Sequence, residues 1–255
     1  MDQRLREFEA RRIAARSSAP DLQQAVWDAY RRLELVASPP FEAANARIIT
    51  LLSDDEAVVE FEYHNRHHVQ DVIDAAALLL SANSNGHMTA QESEAFLTAA
   101  LGHDLHHDGR GPLPEPVLER RSAKSVTDIG RDTGIPESSL FLIEALIIAT
   151  HPALQKSLRE REDLATSNGN ADRLKLILGD ADVLASLTPG LGQELSRRLA
   201  REWAASGVDV LPSPSSPMGR RQFLSAYRRL SAEAVTLGAD SMIAEQLKLC
   251  SGDWA

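Results

Sequence analysis

The chain has 255 residues, of which 43% are hydrophobic and 25% are charged; this allows one large domain, or a domain with an appendage. The net charge of −10 argues against a general nucleic-acid-binding protein, because such proteins are usually basic. The single cysteine, Cys250, excludes an intramolecular disulfide and favours a reducing, cytoplasmic location. No apolar run approaches the ~20 residues of a transmembrane helix, and the Arg- and Glu-rich N-terminus is not typical of a secretory signal.

Residues 1–58 predict an N-terminal helical extension. The first 18 residues alternate charged and small side chains, a pattern typical of a solvated helix. A second helix is predicted to begin at Asp21, which is suited to capping, and to end at Pro39-Pro40. A third carries Ile48 and Leu52. We expect these helices to pack against the rest of the chain or against a second copy in a homodimer.

Residues 59–190 predict the main bundle. Thr89 and Glu92 form a capping box that marks a helix start. Residues 137–150 are so apolar that their helix should be buried on most sides. The predicted helices run from Tyr63 to about Ala82, from Thr89 to His103, from Pro116 onwards, over 137–150, and from Ala171 to Asp182.

Residues 191–255 are expected to complete the same domain. Helices are predicted over 190–206, 219–236 and 240–250. Between the first two of these helices, Leu211 to Pro217 contains three prolines and three serines, a composition typical of a loop. Because no stretch shows a convincing alternation of apolar and polar residues, we expect an all-α fold.

Histidines are concentrated in two short runs. The chain has eight of them, and six lie within residues 63–68 and 103–107. His64 and His68 are four residues apart, so the predicted helix places them on one face. Histidines and aspartates that recur on successive helices predict a metal site inside the bundle, suited to zinc, manganese or iron. The expected ligands are His68, His103, Asp104 and Asp182, with Asp180 as the rival of Asp182.

These motifs resemble those of the HD-domain superfamily of metal-dependent phosphohydrolases, and within it those of class I cyclic-nucleotide phosphodiesterases. The family pattern Tyr-His-Asn-x-x-His-x-x-Asp-Val is matched by Tyr63, His64, Asn65, His68, Asp71 and Val72. The pattern His-Asp-x-x-His-x-Gly is matched by His103, Asp104, His107 and Gly109. Two weaker patterns follow in order at Val117-Leu118-Glu119 and Ala181-Asp182-Val183. The resemblance spans roughly residues 60–190.

The resemblance implies an HD-type helical bundle that holds two divalent metal ions (Zn, Mn, Mg or Fe). It implies that the first metal is bound by the four ligands named above, and that Asp104 bridges to a second metal with His107 and Glu119 nearby. A hydroxide between the metals would attack phosphorus, and His64 would protonate the leaving alkoxide. The implied substrate is a small phosphoester, most simply a nucleotide. Supporting positions would be Tyr63, Asn65 and Asp71.

Two departures from the family pattern bear on the site. An aspartate usually follows the Ala-Thr pair of the apolar helix, whereas here Ala149-Thr150 is followed by His151. This histidine is a ligand of the second metal, a phosphate contact or a satisfied residue at a helix end. The purine-binding pattern Gln-x-x-Phe has only Gln222 and Phe223 as counterparts, at the wrong spacing. These two residues are the expected, but weakest, contribution to the substrate pocket.

The expected function is therefore metal-dependent cleavage of a phosphodiester, of a cyclic nucleotide or a related nucleotide. One alternative is an HD-type oxygenase with a mixed-valent di-iron site, in which Glu119 and His151 would complete the second iron. A nucleotide phosphomonoesterase is another. A non-catalytic regulator is disfavoured because both His64 and Asp104 are present.

Overall fold

The computed structural model of the chain describes residues 2–54, 61–82, 88–111, 113–161 and 170–249. Within these ranges all regular secondary structure is helical, so the predicted all-α fold is confirmed. The helices are α1 Gln3–Ala15, α2 Leu22–Arg32, α3 Pro39–Ser53, α4 Arg66–Ser81, α5 Ala90–Gly102, α6 Val117–Thr133, α7 Glu137–Ala149, α8 Pro152–Glu160, α9 Asn170–Leu187, α10 Pro189–Ala205, α11 Pro217–Ala226, α12 Ala232–Thr236 and α13 Ala239–Leu249.

Helix ends in the first half follow the local capping rules. The Asp21 side chain accepts a hydrogen bond from the backbone N–H of Gln24 and starts α2. Thr89 and Glu92 form the predicted capping box at the start of α5. Gly134, with φ of 87°, ends α6 in the left-handed conformation that glycine tolerates best.

The helix predicted from Tyr63 begins three residues later, at Arg66. Asn65 caps it, because its side-chain oxygen accepts a hydrogen bond from the backbone N–H of His68 at 3.2 Å. Tyr63 and His64 therefore precede α4. The prediction that His64 and His68 share one helix face is wrong, and the two side chains approach each other from a loop and a helix instead.

The C-terminal region contains one more helix than predicted. The stretch 219–236 is divided into α11 and α12, because Ser231 caps a new helix by accepting a hydrogen bond from the backbone N–H of Ala234. The predicted boundary between residues 58 and 59 lies outside the described residues, and the division into 1–58, 59–190 and 191–255 stays a prediction.

Helix α4 lies at the centre of the bundle and packs against α2, α5 and α9. Its middle, from Val72 to Leu79, is buried almost completely, apart from Asp74. Helix α7 is less enclosed than predicted, because Phe141 is 68% exposed. Among the described residues no single helix is long and apolar enough to span a membrane. Helices α7 and α8 have the required length and apolar character only when they are taken together, and they are bent by 94° relative to each other.

A buried ion-pair network fastens α1 to the centre of the bundle. The Arg12 side chain is 4% exposed and lies 2.8 Å from Asp71, whose carboxylate is 2% exposed. Arg12 also pairs with Asp74, and Arg16 pairs with Asp71. Asp71, which was predicted to support a metal ligand, instead binds the N-terminal helix, because burial requires an opposite charge beside it.

Replacement of Arg12 by alanine should lower the free energy of unfolding by about 3–5 kcal/mol, because the buried carboxylate of Asp71 and the half-buried carboxylate of Asp74 both lose this partner. The measurement is urea unfolding followed by circular dichroism. The matched control is Arg31→Ala, which removes an exposed pair with Asp28 and should cost less than about 1 kcal/mol. Equal losses in the two variants would contradict a special role for the buried network.

Candidate metal centre and active site

Two imidazoles and two carboxylates from three helical regions converge at one place. His68 comes from the first turn of α4, His103 and Asp104 directly follow α5, and Asp182 lies on α9. The Nε2 atom of His68 lies 3.2 Å from His103 Nε2, 3.3 Å from Asp104 Oδ2 and 3.1 Å from Asp182 Oδ1. When several ligand atoms each lie about 2.0–2.2 Å from one ion, the distances between those ligand atoms are similar to the ones measured between these four side chains.

The orientation of His103 suits a metal ligand. Its Nδ1–H donates a hydrogen bond to the carbonyl oxygen of Ala100 at 2.9 Å, so in the neutral ring the lone pair lies on Nε2, which faces Asp104 at 3.2 Å. A ligating histidine typically has its other ring N–H held by a carbonyl in this way. The donor set therefore fits a divalent cation, and His68, His103 and Asp182 also form a group compact enough to hold one.

The charges of this cluster depend on one another. Burial alone would lower the pKa of His68, but hydrogen bonds to Asp104 and Asp182 raise it to about 9. Burial would raise the pKa of Asp104, yet the neighbouring His103 holds that pKa well below its usual range. The carboxylates thus stay ionised beside protonated imidazoles. A bound cation would replace those protons as the source of positive charge.

Asp182 and Asp180 point away from each other on α9, as residues two apart on a helix do. Asp180 is fully buried, lies 2.7 Å from Arg159 Nη1 and accepts a hydrogen bond from the backbone N–H of Ser231 at 2.7 Å. It therefore joins α9 to α8 and α12. The structure places Asp182, and not Asp180, at the cluster.

His64 is held by a carboxylate that the sequence analysis missed. Its Nδ1 contacts Glu202 Oε1, and the backbone N–H groups of Tyr63 and His64 donate to Glu202 Oε2 at 2.7 and 2.9 Å. Glu202 lies on α10 and is only 3% exposed. A signal was present, because Glu202 continues the buried stripe of Leu191 and Leu195, where an acid needs a partner.

His107 stacks on His64, with ring centroids 3.5 Å apart and planes inclined by 17°. Its Nδ1 accepts a hydrogen bond from the backbone N–H of Gly109 at 3.1 Å, and burial lowers the pKa of His107 to about 4. His107 is therefore neutral and carries its proton on Nε2. Gly109 has φ of 73° and packs against Phe61, where a Cβ atom would clash.

Tyr63 supports both histidines of its motif. Its ring centroid lies 4.7 Å from that of His64 and 5.0 Å from that of His68. Its hydroxyl forms a hydrogen bond of 2.9 Å with Ser186 on α9. Burial raises the pKa of Tyr63, so the hydroxyl stays protonated. Asn65 supports the site indirectly, because it caps the start of α4, which carries His68.

A cleft of about 590 Å³, partly open to solvent, joins these groups. Both Glu119 and His151 line it, together with His64, Asp104, His107 and Asp182. Burial raises the pKa of Glu119. His151 is 3% exposed, and its Nε2–H donates to the carbonyl oxygen of Leu113 at 2.9 Å, which leaves the buried Nδ1 without a hydrogen-bond partner.

Gln222 and Phe223 are not among the described residues that line this cleft. Gln222 is exposed on α11. The guanidinium group of Arg220 lies over the Phe223 ring at 5.6 Å, and the centroid of the Tyr227 ring is 5.0 Å away. Because neither Gln222 nor Phe223 lines the cleft, the structure does not support the predicted pocket role of this pair.

One segment of the chain matches a known protein family. Residues 63–111 match the family model described as 3'5'-cyclic nucleotide phosphodiesterase. This segment contains both histidine motifs, so the resemblance predicted from those motifs is confirmed. No curated protein is significantly similar to the chain in sequence.

Solved structures show the same fold. The phosphodiesterase domain of the Salpingoeca rosetta rhodopsin phosphodiesterase has a TM-score of 0.70 and 17% identity, covering 91% of this chain and 87% of that one. A second structure, of the phosphodiesterase domain of the RhoPDE fusion protein of the same choanoflagellate, gives 0.67 and 17%, with coverage of 96% and 90%. LmjPDEB1 in complex with IBMX gives 0.59 and 17%, with coverage of 92% and 93%.

The two aspartates of α9 provide a matched test. Asp182→Asn should lower the affinity for Mn²⁺ by about 100-fold or more, because loss of a ligand exceeds the 10–100-fold effect of losing a ligand's partner. Asp180→Asn should bind Mn²⁺ normally but unfold more easily, by about 3 kcal/mol, because it leaves Arg159 without its carboxylate. Isothermal titration calorimetry and urea unfolding measure the two effects. The reverse pattern would make Asp180 the ligand.

Proposed function

We propose that the protein is a metal-dependent phosphodiesterase that hydrolyses 3′,5′-cyclic nucleotides. The observation that carries this proposal is the position of His64. Its ring is held by a buried carboxylate and lines the same cleft as Asp104 and Asp182 of the donor cluster. A cleft with a cation site and an imidazole acid has the two parts that hydrolysis of a phosphodiester requires.

Two divalent cations are proposed as cofactors. His68, His103, Asp104 and Asp182 would hold the first, and Glu119 and His151 are proposed to act near the second. When bound, such ions polarise phosphoryl oxygens and lower the pKa of water. The mixed imidazole and carboxylate set accepts Zn, Mn, Mg or Fe.

His64 is proposed to protonate the leaving oxygen. Cleavage of the P–O3′ bond produces an alkoxide, which needs a proton as it departs. Burial would raise the pKa of Glu202, but its hydrogen bonds with His64 and with backbone N–H groups hold that pKa below its usual range. The ionised Glu202 therefore accepts from Nδ1–H of His64 and stabilises the imidazolium, which presents Nε2–H to the substrate.

His107 is proposed to have a different role from His64. Because Nδ1 accepts from Gly109 and the pKa is lowered to about 4, this ring does not serve as the acid at neutral pH. A neutral ring stacked on His64 excludes water from one face without adding a second positive charge. Its Nε2–H remains a hydrogen-bond donor for a phosphate oxygen or a water molecule.

The direct test is turnover. With Mn²⁺ or Mg²⁺, purified protein should convert 3′,5′-cyclic AMP or GMP to the 5′-monophosphate, because the proton is delivered to O3′; chromatography identifies the product. Asp104→Asn should be inactive and is the negative control. Absence of turnover with every divalent metal tested, or hydrolysis of phosphomonoesters alone, would refute the proposal.

The role of His64 predicts a dependence on the leaving group. His64→Ala should slow hydrolysis of a cyclic nucleotide by about 100-fold or more. It should slow hydrolysis of bis(p-nitrophenyl) phosphate far less, because p-nitrophenolate departs without a proton. Glu202→Gln should also slow hydrolysis of the cyclic nucleotide more than that of bis(p-nitrophenyl) phosphate, but by a smaller factor than His64→Ala. Metal content, measured by mass spectrometry, should equal that of the wild type in both variants; loss of metal from His64→Ala would make His64 a ligand instead.

A further inference from the structure

The cleft has an apolar wall beside the catalytic groups. Trp203, which follows Glu202 on α10, is the one aromatic side chain other than histidine among the described residues that line it. Leu113, Leu118 and Pro152 add aliphatic surface. Trp203 is partly exposed, so one part of the indole is packed and another remains free.

The indole is held close to the catalytic turn. A Cβ atom on Gly111 would lie 3.7 Å from Cε2 of Trp203 and 2.7 Å from Cγ1 of Val208. The ring thus rests beside the backbone that leads away from His107. The carbonyl oxygen of Trp203 accepts a hydrogen bond from Val208 N–H at 2.8 Å, which closes the end of α10 around this contact.

The same wall provides few groups that recognise the edge of a base. Among the described lining residues there is no asparagine or glutamine, and apart from Arg110, Thr150 and the indole N–H of Trp203 each hydrogen-bonding side chain belongs to the catalytic centre. Thr150 donates to the carbonyl oxygen of Ile147 at 2.8 Å. Arg110 donates through Nε to Asp108 at 2.9 Å.

We propose that Trp203 stacks on the base of the bound nucleotide, and that the enzyme accepts purine and pyrimidine 3′,5′-cyclic nucleotides with little discrimination. The proposal rests on the proposed function and specifies its substrate class. Stacking on an aromatic ring tolerates every base, because each base has a π-face. Strong discrimination of about 10⁴-fold arises instead where a site hydrogen-bonds a group that the competitor lacks.

Nucleotide binding tests the stacking without turnover. The chain has three tryptophans, so 5′-AMP with Mg²⁺ should quench part of the intrinsic fluorescence. Trp203→Leu should lose this quenching and bind 5′-AMP roughly 5- to 150-fold more weakly, the range expected for loss of one stacked base. Trp203→Phe should bind with intermediate affinity. Trp27→Leu is the matched control, because Trp27 is 49% exposed but lines a separate groove beside α3, and it should behave as wild type.

Turnover tests the substrate class. The kcat/KM values for cyclic AMP, GMP, CMP and UMP should agree within about tenfold. Relative to a base-free ribose 3′,5′-cyclic phosphate, Trp203→Leu should lose most of the preference for nucleotides, through KM rather than kcat. An equal loss on both substrates would mean that Trp203 only supports Glu202, and would overturn the inference.

The two proposals fail differently. If wild type binds 5′-AMP through Trp203 but hydrolyses no cyclic nucleotide, the proposed function fails and the stacking stands. If it hydrolyses cyclic nucleotides and Trp203→Leu keeps the same preference and quenching, the inference fails alone. Discrimination above about 100-fold among the four bases would refute the substrate class, and absence of nucleotide binding in wild type would refute the stacking.

Discussion

Two buried imidazoles and two half-buried carboxylates meet at His68, His103, Asp104 and Asp182, with nitrogen-to-oxygen distances of 3.1–3.6 Å. Such a concentration of charge is costly unless the charges balance. Protons on the imidazoles, or a cation among them, provide that balance. The geometry in turn requires the start of α4, the end of α5 and the C-terminal part of α9 to stay fixed, and the almost fully buried middle of α4 supplies this rigidity. The geometry of the cation site therefore depends on the packing of the core.

Glu202 is the second organising group. One carboxylate contacts two backbone N–H groups and one imidazole, so it fixes the conformation of residues 63 and 64 as well as the direction of the His64 ring. Because Glu202 comes from α10, the C-terminal part of the chain contributes to the proposed acid catalysis directly. The C-terminal region thus contributes the carboxylate that positions His64, whereas Gln222 and Phe223 on α11 lie away from the cleft.

The predictable parts of the site were those encoded locally. His68, His103 and Asp104 belong to short motifs whose spacing indicates their chemistry, and Asp21 and Thr89 cap helices through residues three positions away. Glu202 lies 138 residues from His64 in sequence, and no spacing rule spans that distance. Asp71 was misread for the same reason, since its partners Arg12 and Arg16 are 59 and 55 residues away. The start of α4 was missed because Tyr63 and His64 extend the helical pattern while Asn65 interrupts it.

Catalysis and base recognition occupy separable parts of this fold. The cation site and His64 depend on backbone geometry at helix ends, where a displacement of 1 Å would cost much of the rate. A base held by stacking needs only a flat apolar surface in the same cleft as the phosphate site, and Trp203 is proposed to offer it on the helix that already carries Glu202. Replacement of a hydrogen-bonding pocket by an aromatic surface would thus leave the chemistry intact while broadening the range of bases. A fold of this kind preserves its reaction because the acid and the cation site share buried constraints, whereas its selectivity depends on a partly exposed wall that is free to change.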